Sequence, residues 1–237
     1  MMAWAILLGI MEAGVATKAQ AQQNRKVQNR PYIDLRPFHY GFSFGIHQQS
    51  LIMPNSGYID PETGRQWFVS NDNFSPGFTV GLIGEWRINS FLAFRLLPTM
   101  HFASKHITFR EQTTGEVEHQ TMKSTYIVLP FNIKVAAPRH NNTRPYVITG
   151  FNASYDLTSK DQANIATKPL SFNFEIGMGC DYYLPFFKCC PELKFCYGLT
   201  DVLKTNRSNL NDPSKAIFTK SVNSARTSMF VLTLHFE

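Results

Sequence analysis

The chain has 237 residues, a formal net charge of +6 and 14% aromatic residues, with hydrophobic residues at 43%. Mean hydropathy is slightly negative, and the longest apolar run, Ala3–Met11, is far short of the 18 or more residues that a spanning helix needs. Helical membrane spans are therefore excluded. The basic excess comes with no helix-turn-helix, zinc-finger or RNA-binding signature, so no nucleic-acid partner is expected. It is read as a solvated rim beside anionic lipid headgroups or lipopolysaccharide phosphates.

The first 21 residues read as a secretory signal peptide. The apolar run leads into Ala19-Gln20-Ala21, an A-x-A cleavage pattern before Gln22. No Lys or Arg precedes the run and Glu12 interrupts its end; a buried N-terminal helix is the alternative. Residues 22–38 follow as a basic periplasmic tail (Arg25, Lys26, Arg30, Arg36), and 39–237 as the folded unit. An exported chain meets no nucleic acid.

The segment His39–His47, HYGFSFGIH, defines the fold. Tyr40, Phe42, Phe44 and Ile46 fall on one face of an extended strand, and Gly41, Ser43, Gly45 and His47 on the other. Small polar residues opposite aromatics suit a crowded interior with the aromatics turned to lipid, the pattern of an outer-membrane barrel strand. The same alternation recurs at Ile127–Val135, at Phe172–Cys180 and at Phe230–Phe236. Charged residues set which row faces lipid. Turning Arg87, Arg95 and Lys134 outward together would cost on the order of 6–12 kcal/mol, at about 2–4 kcal/mol each near the midplane.

Eight strands follow, at roughly 39–53, 76–88, 91–110, 121–137, 144–158, 170–184, 191–200 and 222–236. Their connections alternate: 89–90, 138–143 and 185–190 are short, while 54–75, 111–120, 159–169 and 201–221 are long and polar. The fold class expected is all-β: an eight-stranded antiparallel transmembrane β-barrel with short periplasmic turns, longer extracellular loops and both termini periplasmic. Phe236, next to last in HFE, is expected to act as the C-terminal assembly signal.

Eight strands enclose an interior that side chains just fill. The inward polar set expected is His47, Glu85, Arg87, Arg95, Lys134, Glu175, Asp181 and Lys194. Its near-balanced charges suit a satisfied ion-pair plug, with a proton or ion path as the sharper alternative. Cys180, Cys189, Cys190 and Cys196 lack metal-site spacing, so no metal and no cofactor is expected; free thiols or a disulfide remain open. Cys180 faces lipid and Cys196 the interior, and Cys189 and Cys190 fall in the short turn. Ser104, His101 and His106 near the outer end of the third strand, with His119 beyond, are the residues from which a lipid-acting enzyme would be built. No Gly-rich phosphate loop or G-x-S-x-G elbow is present. The reading is therefore non-enzymatic, with no small-molecule substrate. The loop 201–221 and the tail 22–38 are the candidate interaction surfaces.

A collinear set of segments carries a family resemblance: RPYIDLRPFHYGFSFGIH (30–47), SPGFTVGLIGEWRIN (75–89), YIVLPFNIKVAA (126–137), RPYVITG (144–150), GCDYYLPFFKCCPELKFCYGLTDVLK (179–204) and the final VLTLHFE. Together they resemble the PorT (SprT) family of outer-membrane barrel proteins. That resemblance implies a place in type IX secretion and gliding motility, where such proteins are needed to export cargo bearing C-terminal sorting signals. It supplies no catalytic residues. A side-chain-filled barrel cannot be the conduit, so the expected role is accessory or assembly, in contact with outer-membrane lipid and with type IX translocon or other secretion-system membrane proteins. The alternatives are a general barrel for adhesion or envelope integrity and a lipid-modifying enzyme.

Overall fold

Strand alternation runs through the whole molecule and closes on itself. The computed structural model describes residues 27–61, 63–70, 76–112, 114–158, 165–205 and 216–237; the expected signal peptide lies outside them. The strands are β1 (Phe38–Ile52), β2 (Trp67–Ser70), β3 (Pro76–Arg87), β4 (Leu92–Leu96), β5 (Thr99–Glu111), β6 (Val117–Ala136), β7 (Thr143–Asp156), β8 (Leu170–Tyr183), β9 (Lys188–Gly198) and β10 (Arg226–Phe236). A short helix, α1 (Ala216–Lys220), precedes β10.

All pairings are antiparallel. β1 pairs with β10 on one side and with β3 on the other, so the sheet has no free edge along the ring. β4 and β5 are successive halves of one stave, both lying between β3 and β6. The interruption at Leu97-Pro98 is slight, because Leu82 N–H still donates to the Pro98 carbonyl and Leu97 N–H to that of Pro130. The ring therefore has eight staves, as expected.

Register ties one side of the ring to the other. Pairs step from His39 through Glu85, Arg95, Asn132, Gly150, Glu175, Cys196 and Met229 and return to β1 at Gln49, ten residues on from His39. Such a shear tilts the staves by roughly 35–45° and narrows the interior to side-chain width.

The faces are as the alternation demands. On β1, Tyr40 is 84% and Ile46 62% exposed, whereas Ser43 and His47 are buried. Phe78, Leu82, Phe131, Ile133, Phe151, Phe172, Ile176, Met178, Phe230 and Leu232 continue the outward apolar wall around the ring.

Four details depart from the expected organisation. First, the connection expected at 111–120 is much shorter, because β5 runs to Glu111 and β6 begins at Val117. Together they form a ribbon whose outward residues are polar (His106, Thr108, Arg110, His119, Thr121, Lys123), while Ile107 and Phe109 point inward. Second, the loop 54–75 contains β2, which pairs with the outer end of β5. Third, β10 begins at Arg226 rather than 222, since Val222 and Ala225 belong to an apolar cluster of the loops. Fourth, Cys189 and Cys190 lie in β9 rather than in the turn. That hairpin closes earlier, with Leu184 N–H donating to the Phe187 carbonyl and Tyr182 paired to Cys189. All four cysteines are free thiols.

At the loop end, Leu51, Trp67, Val69, Ile107, Phe109, Ile165, Val202, Leu203, Val222 and Ala225 pack together above the polar interior, with Phe218 of α1 against Trp67 and Phe109. This cluster holds the loops down as a lid of ordinary hydrophobic core. Trp67→Ala should therefore cost the lid about 3–5 kcal/mol. Proteinase K digestion of the detergent-solubilised protein should then cut the loops much faster, while the heat-resistant barrel band is unchanged.

Candidate functional site

The ring is filled, and the larger hollows lie on its apolar outer wall, lined by Val135, Val147, Met178 and Leu193, so its functional surfaces are its interior, its two ends and that wall. The interior charges gather toward the turn end, where Arg95, fully buried on β4, is the hub. Its Nε and Nη2 donate to Glu85 Oε2 at 2.9 and 2.6 Å, and its Nη1 donates to Glu192 Oε2 at 2.6 Å. Lys134 bridges Glu85 (3.2 Å) and Asp181 (2.9 Å). Lys188 pairs with Glu237 at 2.5 Å and lies 3.9 Å from Asp181. Tyr146 OH donates to Glu192 at 2.8 Å, and Arg95 and Lys134 both stand over its ring. His235 Nε2 lies 3.2 Å from the other Glu192 oxygen. Burying ions is costly unless each has partners on several sides, and this lattice supplies them.

A layer of amides lies above. Asn132 and Asn152 donate to the two oxygens of Glu175 at 3.0 and 2.5 Å, and Asn173 donates to Asn152 at 2.6 Å and to Ser154 at 3.1 Å. Lys194 joins the two layers, 3.9 Å from Glu175 and 3.7 Å from Glu192. Higher still, the His47 and His101 rings lie 4.9 Å apart, and Lys105 donates to Tyr126 OH at 2.5 Å.

Of the expected inward set, Glu85, Arg95, Lys134, Glu175, Asp181 and Lys194 are brought together. His47 is buried but stands apart from the charge lattice, against His101. Arg87 has inward parity but sits at the rim, where it donates to the carbonyls of Asn89 (3.2 Å) and Asp34. Sequence reasoning missed Lys188, Glu192, His235, Glu237 and Tyr146. Glu192 was legible, because it shares parity with Lys194 on one strand. Lys188 was hidden by its placement in the turn. Phe236 faces outward and packs on Phe42 (5.2 Å) and Phe187 (5.9 Å), while Glu237 folds its carboxylate inward.

The residues considered for lipid chemistry do not converge. His101 points into the barrel and is buried, whereas Ser104 and His106 have outward parity and His106 pairs with Thr121 at 3.1 Å. His119, also outward, meets Thr108 at 3.2 Å. Among the described residues no group of three or more His, Cys, Asp or Glu side chains is arranged to hold a metal ion.

The segment read as a basic tail is, from Val27 onward, folded across the turn end. A 3-10 turn, Ile33–Leu35, buries Ile33. Asp34 accepts from Tyr183 OH at 2.6 Å and faces Arg139 at 3.5 Å and Arg144 at 3.6 Å. Asn29 N–H donates to Asn142 Oδ1 at 2.9 Å, its amide donates to the Tyr183 carbonyl, and Arg30 donates to the Glu237 carbonyl. Arg139 also stacks over the Tyr183 ring, 3.6 Å from its centroid. Between cap and lattice a cavity of about 20 Å³ remains, room for about one water.

A closed ring of eight staves with an apolar outer wall and a charged, filled interior defines a small transmembrane β-barrel. The profile described as "Outer membrane protein beta-barrel domain" matches residues 20–204. The chain belongs to this family of outer-membrane β-barrels. Solved structures similar to it include OprG of Pseudomonas aeruginosa (13% identity, covering 84% of this chain and 92% of that one, TM-score 0.45). Neisserial surface protein A is another (9%, 84% and 98%, TM-score 0.43). So is Ail, the attachment invasion locus protein of Yersinia pestis (12%, 85% and 99%, TM-score 0.37). A search of curated proteins finds no match in sequence.

Proposed function

We propose that this outer-membrane barrel is a non-enzymatic accessory or assembly component of type IX protein secretion and not the conduit for cargo. The observation that carries the second half is the filled interior. Arg95, Ile148, Leu97 and His235 are fully buried within the ring, the loop cluster covers one end and residues 27–37 cover the other. No polypeptide passes such a barrel, so it acts through its ends and its outer wall. The secretion role itself is supported by the collinear resemblance to the PorT family. In this reading the short turns and both termini are periplasmic, the loops are external, and the partners are outer-membrane lipid and membrane proteins of the translocon.

The test is a clean deletion strain examined for cargo bearing the C-terminal sorting signal. Cargo should accumulate in the periplasm and be released again by a plasmid copy. Normal secretion would overturn the reading. A second reading, adhesion or envelope integrity, is favoured by the β5–β6 ribbon with its exposed polar outer face. It requires that trimming loops 54–75 and 201–221 abolish surface binding while secretion survives.

A further inference from the structure

The turn end holds more positive charge than its carboxylates balance. Arg139 and Arg144 both face the single carboxylate of Asp34, and Arg87 reaches the same residue through its main-chain oxygen. Among the described residues, no second carboxylate lies within 4 Å of any of these three guanidinium groups. Glu85 and Asp181 lie deeper and are already shared by Arg95, Lys134 and Lys188. Arg36, exposed, and Arg30 belong to the same capping segment. Arg87, Arg139 and Arg144 thus gather around one aspartate, and Arg30 and Arg36 flank it in the chain.

The position of this cluster matters as much as its charge. Arg87 lies between Trp86 and Ile88, both outward and exposed, and Phe38 stacks on Trp86 at 6.2 Å. Phe91, also exposed, lines the mouth of the small cavity with Arg87, Asn89 and Arg144. The Arg87 guanidinium therefore stands at the rim, beside the outward apolar residues that end the wall on this side. Arginine matches phosphate geometry through its planar fork of donors.

We propose that this rim is a binding site for anionic phospholipid. Arg144 is held by the Ala137 and Ser90 carbonyls and by Asp34, so the headgroup phosphate lies against Arg87 and Arg36, and the acyl chains lie along Trp86, Ile88 and Phe91. Asp34 is the internal competitor, an acidic side chain already occupying part of the arginine cluster. An acidic peptide would use the charge but leave the adjoining aromatic wall idle, so lipid is the better fit. The proposal is independent of the secretion reading.

The full chain is reconstituted in nanodiscs holding equal amounts of phosphatidylglycerol and phosphatidylethanolamine, extracted into mild detergent, and its retained lipids are weighed by native mass spectrometry. Phosphatidylglycerol should be retained several-fold over phosphatidylethanolamine. Arg36→Gln, at an exposed site that leaves the fold intact, should lower that preference about fivefold, and Arg87→Gln should lower it further by a similar factor. Asp34→Asn should raise it, because the arginines lose their internal partner; a purely structural aspartate predicts no gain. Equal retention of the two lipids, or a preference that falls in Asp34→Asn, overturns the proposal. So does a hexaglutamate peptide that binds through Arg36 and Arg87 while no lipid preference exists.

Discussion

Replacing Arg95 by Met should cost the barrel about 3–5 kcal/mol, the penalty of leaving a buried ion without its partner. Arg95 has no exposed surface and is the common partner of Glu85 and Glu192, with Glu237 3.7 Å away. Met approximates its stem but leaves these carboxylates facing one another in a water-poor interior. The readout is the temperature at which the compact, fast-migrating band on SDS gels converts to the unfolded one. It should fall by many degrees in Arg95→Met. Adding Glu85→Gln and Glu192→Gln should recover most of the loss, since the triple variant removes the stranded charges with the cation. An unchanged transition in the single variant would show that the lattice contributes nothing to stability.

A second large effect is expected at the seam between the first and last staves. Gly41 faces inward on β1 where β10 ends, and a Cβ there would stand 1.9 Å from the Phe236 carbonyl oxygen. The obstacle is main chain, so no rotamer relieves it. Gly41→Val should therefore force the seam apart and leave almost no closed, heat-modifiable barrel. Gly84 provides the control: it faces outward, and the nearest atom to its Cβ is 3.9 Å away. Gly84→Val should insert and fold normally. Equal folding of the two variants would refute the argument that close main-chain approach selects glycine at the seam.

How much of this was legible in the sequence depends on which physical signal each feature leaves. The staves left a strong one. Outward Phe42, Phe44 and Ile46 against inward Ser43 and His47 can be read directly, because a strand has a period of two and lipid rejects charge. The same parity assigns Glu85, Arg95, Lys134 and Asp181 to the interior. Stave ends were less legible where the chain leaves the membrane. The start of β6 at residues 117–120 is polar outside, so it reads as loop although it pairs with Ile107–Arg110 of β5, where Ile107 and Phe109 still point inward. Trp67 and Val69 of β2 alternate over too few residues to stand out from the surrounding turn chemistry. The capping role of residues 27–37 left no local signal at all. Asp34 acquires its meaning only when Arg87, Arg139, Arg144 and Tyr183 are brought to it by the ring.

The charge lattice also constrains how such a barrel comes into being. Glu85 and Arg95 sit on neighbouring staves, but Glu192 follows Arg95 by 97 positions and Asp181 follows Lys134 by 47. The Arg30–Glu237 bond spans 207 positions. A nascent sheet containing only the first staves would present unneutralised cations and anions to hydrocarbon, at several kcal/mol each. Sequential threading of hairpins into lipid is therefore uphill until β9 arrives with Glu192 and Lys188. Insertion should be all-or-none, with the incomplete sheet sheltered from the bilayer until its last members dock. Contacts of such long range also make the step intrinsically slow. Charges that stabilise the finished molecule thus act during biogenesis as a checkpoint, holding every partial barrel out of the membrane.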